Sequence, residues 1–304
     1  MFSNLRFEAT INSCVEFVGV GVHSGKNANM RIFPAPERTG IVFKRIDLKK
    51  GQIVKPSPDA VVDPKFCTRI INKSGVSVFV VEHLLAAFRI SGITNAIVEL
   101  DSEEVPIMDG SAITFLNEFK KSGILYQDSL VPAVVISRTL TVESGNGRIS
   151  LIPEDTKNVS VKISYDRINP VIGENNRHSF DLDDDLSSLA DSRTFGWFED
   201  YEKVKSIGLA KGTSEENTIA ILSDNTVKNK GGLRNPNELV MHKCLDLIGD
   251  ISVIGYDIIG KIEGFNTSHL LNNLLMRALL KEISYHKIIT QEYTKALSQT
   301  INFA

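Results

Sequence analysis

The chain has 304 residues, 42% of them hydrophobic and 23% charged, with a formal net charge of −3. That length suits two domains or one large one with a sizeable core. The lack of a basic excess argues against a nucleic-acid backbone as partner. No run reaches the roughly 18 uninterrupted apolar residues that a membrane span needs.

In chain order, the start MFSNLRFEAT carries no apolar core of signal-peptide length. Alternating or β-branched segments predict strands in NANMRIFP (27–34), TGIVFKRI (39–46) and ITNAIVEL (93–100). The second half adds GRISLIP (147–153) and VSVKISY (159–165). Helical spacing predicts helices over 82–91, 113–121, 197–207, 238–249 and 268–283. Strands followed by a few helices, twice, predict an α+β protein of two similar two-layer α/β sandwich domains. The longest apolar stretch, VSVFVVEHLLAAF, is cut by Glu82 and His83. PIMDGSA (106–112) reads as a structural turn around Asp109-Gly110. Cys14, Cys67 and Cys244 are scattered thiols, which fit a reducing, cytoplasmic setting better than a disulfide framework.

The two halves look alike. VHSGKNANMRIFPAPE (22–37) and VESGNGRISLIPED (142–155) share V-x-S-G, an alternating strand and a proline. EHLLAAFRISGITNAIVEL and MHKCLDLIGDISVIGYDI both run histidine, apolar helix, glycine turn, β-rich strand. This predicts an internal duplication, with halves 1–127 and 128–304 meeting at LYQDSLVP, a turn-like stretch around Asp128 and Ser129. Duplication would set His83 and His242 at corresponding points, both facing a cleft between the domains.

His242 and Asp246 stand at i and i+4, on one helical face. With His83 they make two imidazoles and a carboxylate, a ligand set for catalytic Zn²⁺ that leaves a fourth position for water. The same residues fit a local ion pair and an ordinary helix start. Asp250, one turn further on, opposes the helix dipole unless it has a partner. His269, opening the next helix in GFNTSHLLNN, is the natural one, and an Asp–His pair orients the imidazole and raises its pKa. In SRTFGWFEDYEKVKSIGLAKG (192–212), Trp197, Tyr201, Val204 and Gly208 keep helical spacing, flanked by Phe198 and Ile207. That segment is either a surface helix packed on its own domain or an apolar gutter for a long hydrophobic ligand group. Cys67 is either a spare metal ligand or a buried thiol in a strand. His178 and His286 sit in polar, exposed contexts.

Taken together, GVGVHSGK, PAPERTGIVFKRID, VEHLLAAF, EVPIMDGSA, SRTFG, GLRNPNELVMHKCLDLIGD and SHLLNN closely resemble the bacterial UDP-3-O-acyl-N-acetylglucosamine deacetylase family. The resemblance runs in order from near residue 4 to beyond residue 280. It implies a zinc-dependent amidase (Fe²⁺ suits the ligands too) that releases acetate and commits its substrate to lipid A synthesis in the cytoplasm. Position by position, it implies that His83, His242 and Asp246 hold the metal and that Glu82 is the general base. It implies that His269 is catalytic with Asp250 as its partner, and that the Thr194 hydroxyl helps hold the oxyanion. Lys243 and Phe195 match substrate-lining positions, and His23 matches another near the substrate. Lys243 is expected to point away from the ligands. Around 194–220 the family has an insert that forms the passage for the acyl chain, which favours the gutter reading for Trp197 and Ile207. Cys67 and His23 match positions that reach a second, inhibitory zinc. One departure is Asn266, where the family commonly has a lysine thought to hold the diphosphate. The expected partner is the acylated UDP-sugar, taken up by a monomer without nucleic acid or a transmembrane segment.

Overall fold

The computed structural model describes residues 5–50, 52–164, 176–224 and 226–291. Asn27–Pro34 alternates exposed and buried side chains, as a strand with one wet face must. It lies in a five-stranded sheet ordered Val15–Val20, Asn27–Pro34, Ala96–Leu100, Ile41–Arg45, Ile53–Val54. A second five-stranded sheet is ordered Leu140–Ser144, Gly147–Ile152, Lys261–Phe265, Asn158–Lys162, Arg177–Asp181. Numbered along the chain within each sheet, both orders are 1-2-5-3-4. In both, the fifth and third strands pair parallel and all other neighbours pair antiparallel. The last expected residue of VSVKISY, Tyr165, lies outside the described residues.

A parallel pair requires a crossover connection, commonly helical. The helices are α1 (Glu82–Ile90), α2 (Ile113–Ser122), α3 (Ser187–Ala190), α4 (Tyr201–Ser206), α5 (Glu238–Ile251) and α6 (His269–Lys281). In each sheet the crossover carries one long helix, α1 in the first and α5 in the second. Another helix follows the fifth strand, α2 and α6 respectively. The chain is therefore α+β. No helix of the described residues is long and apolar enough to cross a membrane.

The helices α1 and α5 pack directly on each other, and α5 and α6 cover the second sheet. Phe88 of α1 stacks on Phe119 of α2, ring centroids 4.9 Å apart, and Phe119 meets Phe17 of the first sheet edge-on. Apolar side chains of both sheets and of α1, α2, α3, α5 and α6 join one continuous core. The α1–α5 crossing is closest at Gly249, where a Cβ would overlap the backbone carbonyl of Glu82. Glycine is required there by backbone approach, since its helical conformation suits any residue.

Several expectations are corrected. LYQDSLVP is strand, not turn: Ile124–Leu130 pairs antiparallel with Phe7–Ile11. Glu37 accepts the Asp128 N–H and the Ser129 hydroxyl, so the polar pair that suggested a turn is satisfied sideways. The helix expected over 197–207 shrinks to α4, because Phe195–Trp197 forms a parallel ladder with Ile219–Ile221. The strand after α5, Asp257–Ile259, joins a three-stranded sheet with Ala133–Val135 and Lys287–Ile289. The counterpart of Ala96–Leu100 is thus the next strand, Lys261–Phe265. His286 is buried, with Nδ1 accepting the Ser137 N–H at 3.2 Å.

Replacing a mid-helix glycine by alanine ordinarily stabilises by up to about 1 kcal/mol. Gly249→Ala should do the reverse and destabilise by roughly 1–3 kcal/mol, the usual cost of overpacking. Urea midpoints at constant m-value measure this, and a rise in the midpoint would refute the close approach.

Candidate active site

The chain enters α1 through Val80, whose φ is 60°. A β-branched residue in the left-handed region costs on the order of 1–3 kcal/mol. The bend sets Glu82 and His83 in the first turn of α1, where both are buried. On α5, His242, Asp246 and Asp250 are also buried. Residues four apart advance roughly 40° past a full turn. By Asp250 the stripe has therefore rotated away from His83 and toward α6. That rotation divides the three residues between two jobs.

His83 Nε2 lies 3.6 Å from Asp246 Oδ1, and His242 Nε2 lies 3.3 Å from the same oxygen. The two imidazoles meet edge-on, centroids 5.0 Å apart. One ligand atom from each of the three residues falls within 4.8 Å of the others. A tetrahedral ion with ligand bonds of about 2.0–2.1 Å separates its ligands by about 3.3 Å, close to the spacing here. Asp246 Oδ1 is buried with no hydrogen-bond partner among the described residues. A lone anionic oxygen aimed between two imidazoles is costly unless a cation completes it. The residues therefore fit a divalent metal.

Two of the three are held from behind. The Nδ1–H of His242 donates to the Ser192 carbonyl at 3.0 Å, which leaves Nε2 with its lone pair free to bind. Burial lowers the His242 pKa to about 4, so the ring is neutral, as a ligand must be. Burial alone would raise the Asp246 carboxyl, but His242 and then Lys243 hold it well below its usual range. Lys243 Nζ sits 2.6 Å from Asp246 Oδ2. Lys243 was expected to point elsewhere. Its flexible stem instead folds back three residues along α5, drawn by a buried carboxylate.

Glu82 and His269 stand on the other side of the ligands. Glu82 Oε1 is 3.9 Å from His269 Nε2, and Oε2 accepts the Thr68 N–H at 3.0 Å. Burial raises the Glu82 carboxyl above its ordinary pKa, with His269 and His83 opposing. Its place at the positive end of α1 also favours the anion. His269 Nδ1–H donates to Asp250 Oδ2 at 2.9 Å. Burial would lower His269, but Asp250 overcomes it, aided by Glu82, and the ring is raised to about 9. A cation at the first position of α6 opposes that helix's dipole, so the two carboxylates are what keep it charged.

The remaining sequence candidates surround this group. Arg193 pairs with the fully buried Glu238 at the start of α5, at 2.8 Å. That pair brings Thr194 and Phe195 beside α5, and the Phe195 ring reaches 6.0 Å from that of His242. Trp197 packs on Phe195, centroids 6.3 Å apart. Phe198 and Ile207 are exposed, at 45% and 63%. His23 is buried, its Nδ1 accepting the Ala210 N–H at 3.4 Å. Burial lowers its pKa to about 4, with His269 adding to the effect. The fully buried Glu104 fixes the turn around His23 by accepting the N–H groups of His23 and Ser24.

Cys67 is in a bend before Arg69–Ile71 and not in a strand. Burial pushes its thiol well above the usual range, and it stands outside the three-residue ligand group. Asp109-Gly110 does turn, with Gly110 at φ 83°, and Arg234 of the second half binds Asp109 at 2.8 Å. Asn266 takes φ 47°, a conformation asparagine tolerates. Its amide accepts from Ser164 N at 2.6 Å and donates to Ser164 O at 2.8 Å. That side chain is spent on the backbone.

Two contacts escaped the sequence. Thr68 reaches both Glu82 and Asp250, and Asn272 donates to Asp250 Oδ2 at 2.9 Å. The His269-x-x-Asn272 spacing on one helical face was a readable signal for the second. No local pattern marks the first. A cavity of about 560 Å³ opens elsewhere, beside Arg6, Phe88, Arg89 and Asp257. There Asp257 already answers Arg6 at 2.8 Å, Arg89 at 3.8 Å and Lys157 at 3.7 Å. The ligand-like group, not that cavity, is where the reactive side chains converge.

A model of the UDP-3-O-acyl N-acetylglycosamine deacetylase family matches residues 8–281. The UDP-3-O-acyl-N-acetylglucosamine deacetylase of Nitratiruptor sp. is 39% identical over 288 residues, covering 94% of this chain and 95% of the relative. That of Syntrophus aciditrophicus is 38% identical, covering 91% and 87%. That of Pseudoalteromonas translucida is 39% identical, covering 90% of each.

The raised His269 gives stability a pH dependence of definite sign. Its contribution is present in full below the ordinary histidine value near 6.5 and is lost as pH rises through about 9. Urea midpoints measured from about pH 6 to 10 should fall over that window, and Asp250→Asn should flatten the fall. An unchanged slope in the variant would count against the pair.

Proposed function

The chain belongs to the UDP-3-O-acyl N-acetylglycosamine deacetylase family, and on that premise we propose that it removes the N-acetyl group of a UDP-3-O-acyl-N-acetylglucosamine, releasing acetate. The observation that carries the reading is the convergence of His83, His242 and Asp246 with Glu82 and an Asp250-held His269 at one buried place. The activity belongs to lipid A biosynthesis. The three free thiols suit a cytoplasmic setting.

Zinc suits two imidazoles and a carboxylate, and when bound supplies Lewis acidity toward the amide carbonyl and the attacking water. Glu82 takes the proton from that water. Its raised affinity for protons, set by burial, brings it nearer to the range that makes a good base. His269 stays protonated and faces the charge that develops on the carbonyl oxygen. The Thr194 hydroxyl adds a second donor to that oxygen, and losing such a donor costs roughly 3–4 kcal/mol in comparable sites. The leaving amine regains a proton from Glu82 or His269, which stand 3.9 Å apart. Ser192, through its carbonyl, keeps His242 in the ligating tautomer.

Substrate binding is assigned to Lys243, Phe195, His23, Trp197 and Ile207. Phe195 and Trp197 supply an aromatic wall that starts at His242, and the exposed Ile207 is assigned to the same passage. Each CH₂ of an acyl chain buried there contributes about 0.8 kcal/mol. Asn266 gives no charge for the diphosphate, so either nucleotide affinity and its salt dependence differ from those of relatives with a lysine there, or another cation serves. The shared 1-2-5-3-4 order supports a duplicated origin for domains 1–127 and 128–304. The site then lies where α1 of one meets α5 of the other.

Acetate release from the acylated nucleotide sugar tests this directly. Glu82→Ala should lower it by at least about 10²–10⁴-fold, and the unacylated sugar nucleotide should react far more slowly than the acylated one. Unimpaired turnover by the variant would sink the assignment of the base.

Metal analysis provides a separate check. Native protein should carry close to one ion per chain, and His242→Ala should carry much less. Equal metal in both proteins would remove His242 from the ligand set.

A further inference from the structure

We propose that Thr68 is a positioning residue of this site, holding the carboxylates of Glu82 and Asp250 in fixed relation and, through Asp250, setting the place of the His269 imidazole. The inference rests on the reading of Glu82 and His269 given above.

Thr68 is 2% exposed. It comes from the first half of the chain, in the approach to the strand Arg69–Ile71. Its carbonyl accepts the Val81 N–H at 3.4 Å, so its main chain is tied beside the start of α1. From there it donates twice. The backbone N–H reaches Glu82 Oε2 at 3.0 Å. The hydroxyl donates to Asp250 Oδ1, on α5 of the second half. One residue therefore spans the two halves at the level of the reacting groups.

The chemistry of Asp250 explains why this matters. Its Oδ2 is occupied by His269 Nδ1 and Asn272 Nδ2, each at 2.9 Å. Among the described residues, Thr68 supplies the hydrogen bond on Oδ1. A carboxylate turns easily about its last torsion, whose minima are broad. Donors on both oxygens remove that freedom, and the imidazole bonded to Oδ2 is then placed with the carboxylate. Glu82 and Asp250 are also buried carboxylates of like charge that repel each other. A donor delivered to each from the same residue offsets that repulsion and keeps their separation constant. Partners that orient the ligands of a metal site commonly contribute roughly 10- to 100-fold to activity, and Thr68 does the same for the groups beside them.

Two substitutions separate the hydroxyl from the fold. Thr68→Val keeps shape and backbone N–H but removes the donor to Asp250. Thr68→Ser keeps the donor and loses a methyl. On protein of equal metal content, T68V should lower kcat by roughly 10- to 100-fold with little change in KM, and T68S should recover most of the loss. In an Asp250→Asn background T68V should add little, because residues acting through one another are not additive. The proton NMR signal of His269 Nδ1–H supplies a readout independent of turnover: it should shift in T68V and return in T68S. Wild-type kcat with an unmoved signal in T68V overturns the proposal, and so does a full multiplicative loss on top of D250N. If wild-type protein releases no acetate, the proposed function fails. The NMR signal still judges Thr68, an unmoved one refuting it and a shift restored by serine supporting it.

Discussion

The approach of α1 to α5 is the constraint on which the site depends. Gly249 lets the α5 backbone lie against the carbonyl of Glu82. Asp250 follows it directly, Asp246 lies one turn before, and Glu82 and His83 start the facing helix. Every distance among the reactive groups inherits that contact. A site shared by two helices keeps its geometry only when their separation is fixed. Here the fixed quantity is van der Waals contact between backbones, which yields far less than a contact between long side chains.

Charge is arranged on that frame in two adjoining groups. Around Asp246, burial keeps His242 neutral while Lys243 keeps the carboxylate ionised. Around Asp250, the balance runs the other way and His269 is held as a cation. The same residue types thus take opposite protonation states a few ångströms apart. Neutral imidazole suits a ligand and imidazolium suits an oxyanion. The difference comes from carboxylate placement: Asp250 bonds His269 directly, whereas His242 gives its N–H to a backbone carbonyl. Val80 adds stored strain at the entrance to α1, tolerated because the packed helix beyond it leaves the chain no easier route.

Much of this was legible in the residues. The i, i+4 spacing of His242 and Asp246, Glu82 beside His83 at the head of an apolar helix, and the Asp250–His269 pairing all follow from periodicity and helix electrostatics. The alternating strands of 27–34 and 147–152 were readable for the same reason, and each proved to be the second strand of its sheet. Failures fell where a distant segment outbid a local preference. Ile124–Leu130 became strand because Phe7–Ile11 lay ready to pair with it. Trp197 left the expected helix for a ladder with Ile219–Ile221. Lys243 turned to Asp246 because a buried anion outweighs solvent for a lysine within reach.

Local pattern by itself determined which residues are candidates for the chemistry and on which helices they ride, since helical spacing and residue type are properties of short stretches. Tertiary structure alone decided how they divide the work. Roughly 40° of rotation between Asp246 and Asp250 becomes a change of partner only once His83 and α6 are in place. Thr68 becomes a bridge only because Asp250, 182 positions away in sequence, is packed against it. No local pattern encodes such a pairing, because its energy exists only when the two halves of the chain meet.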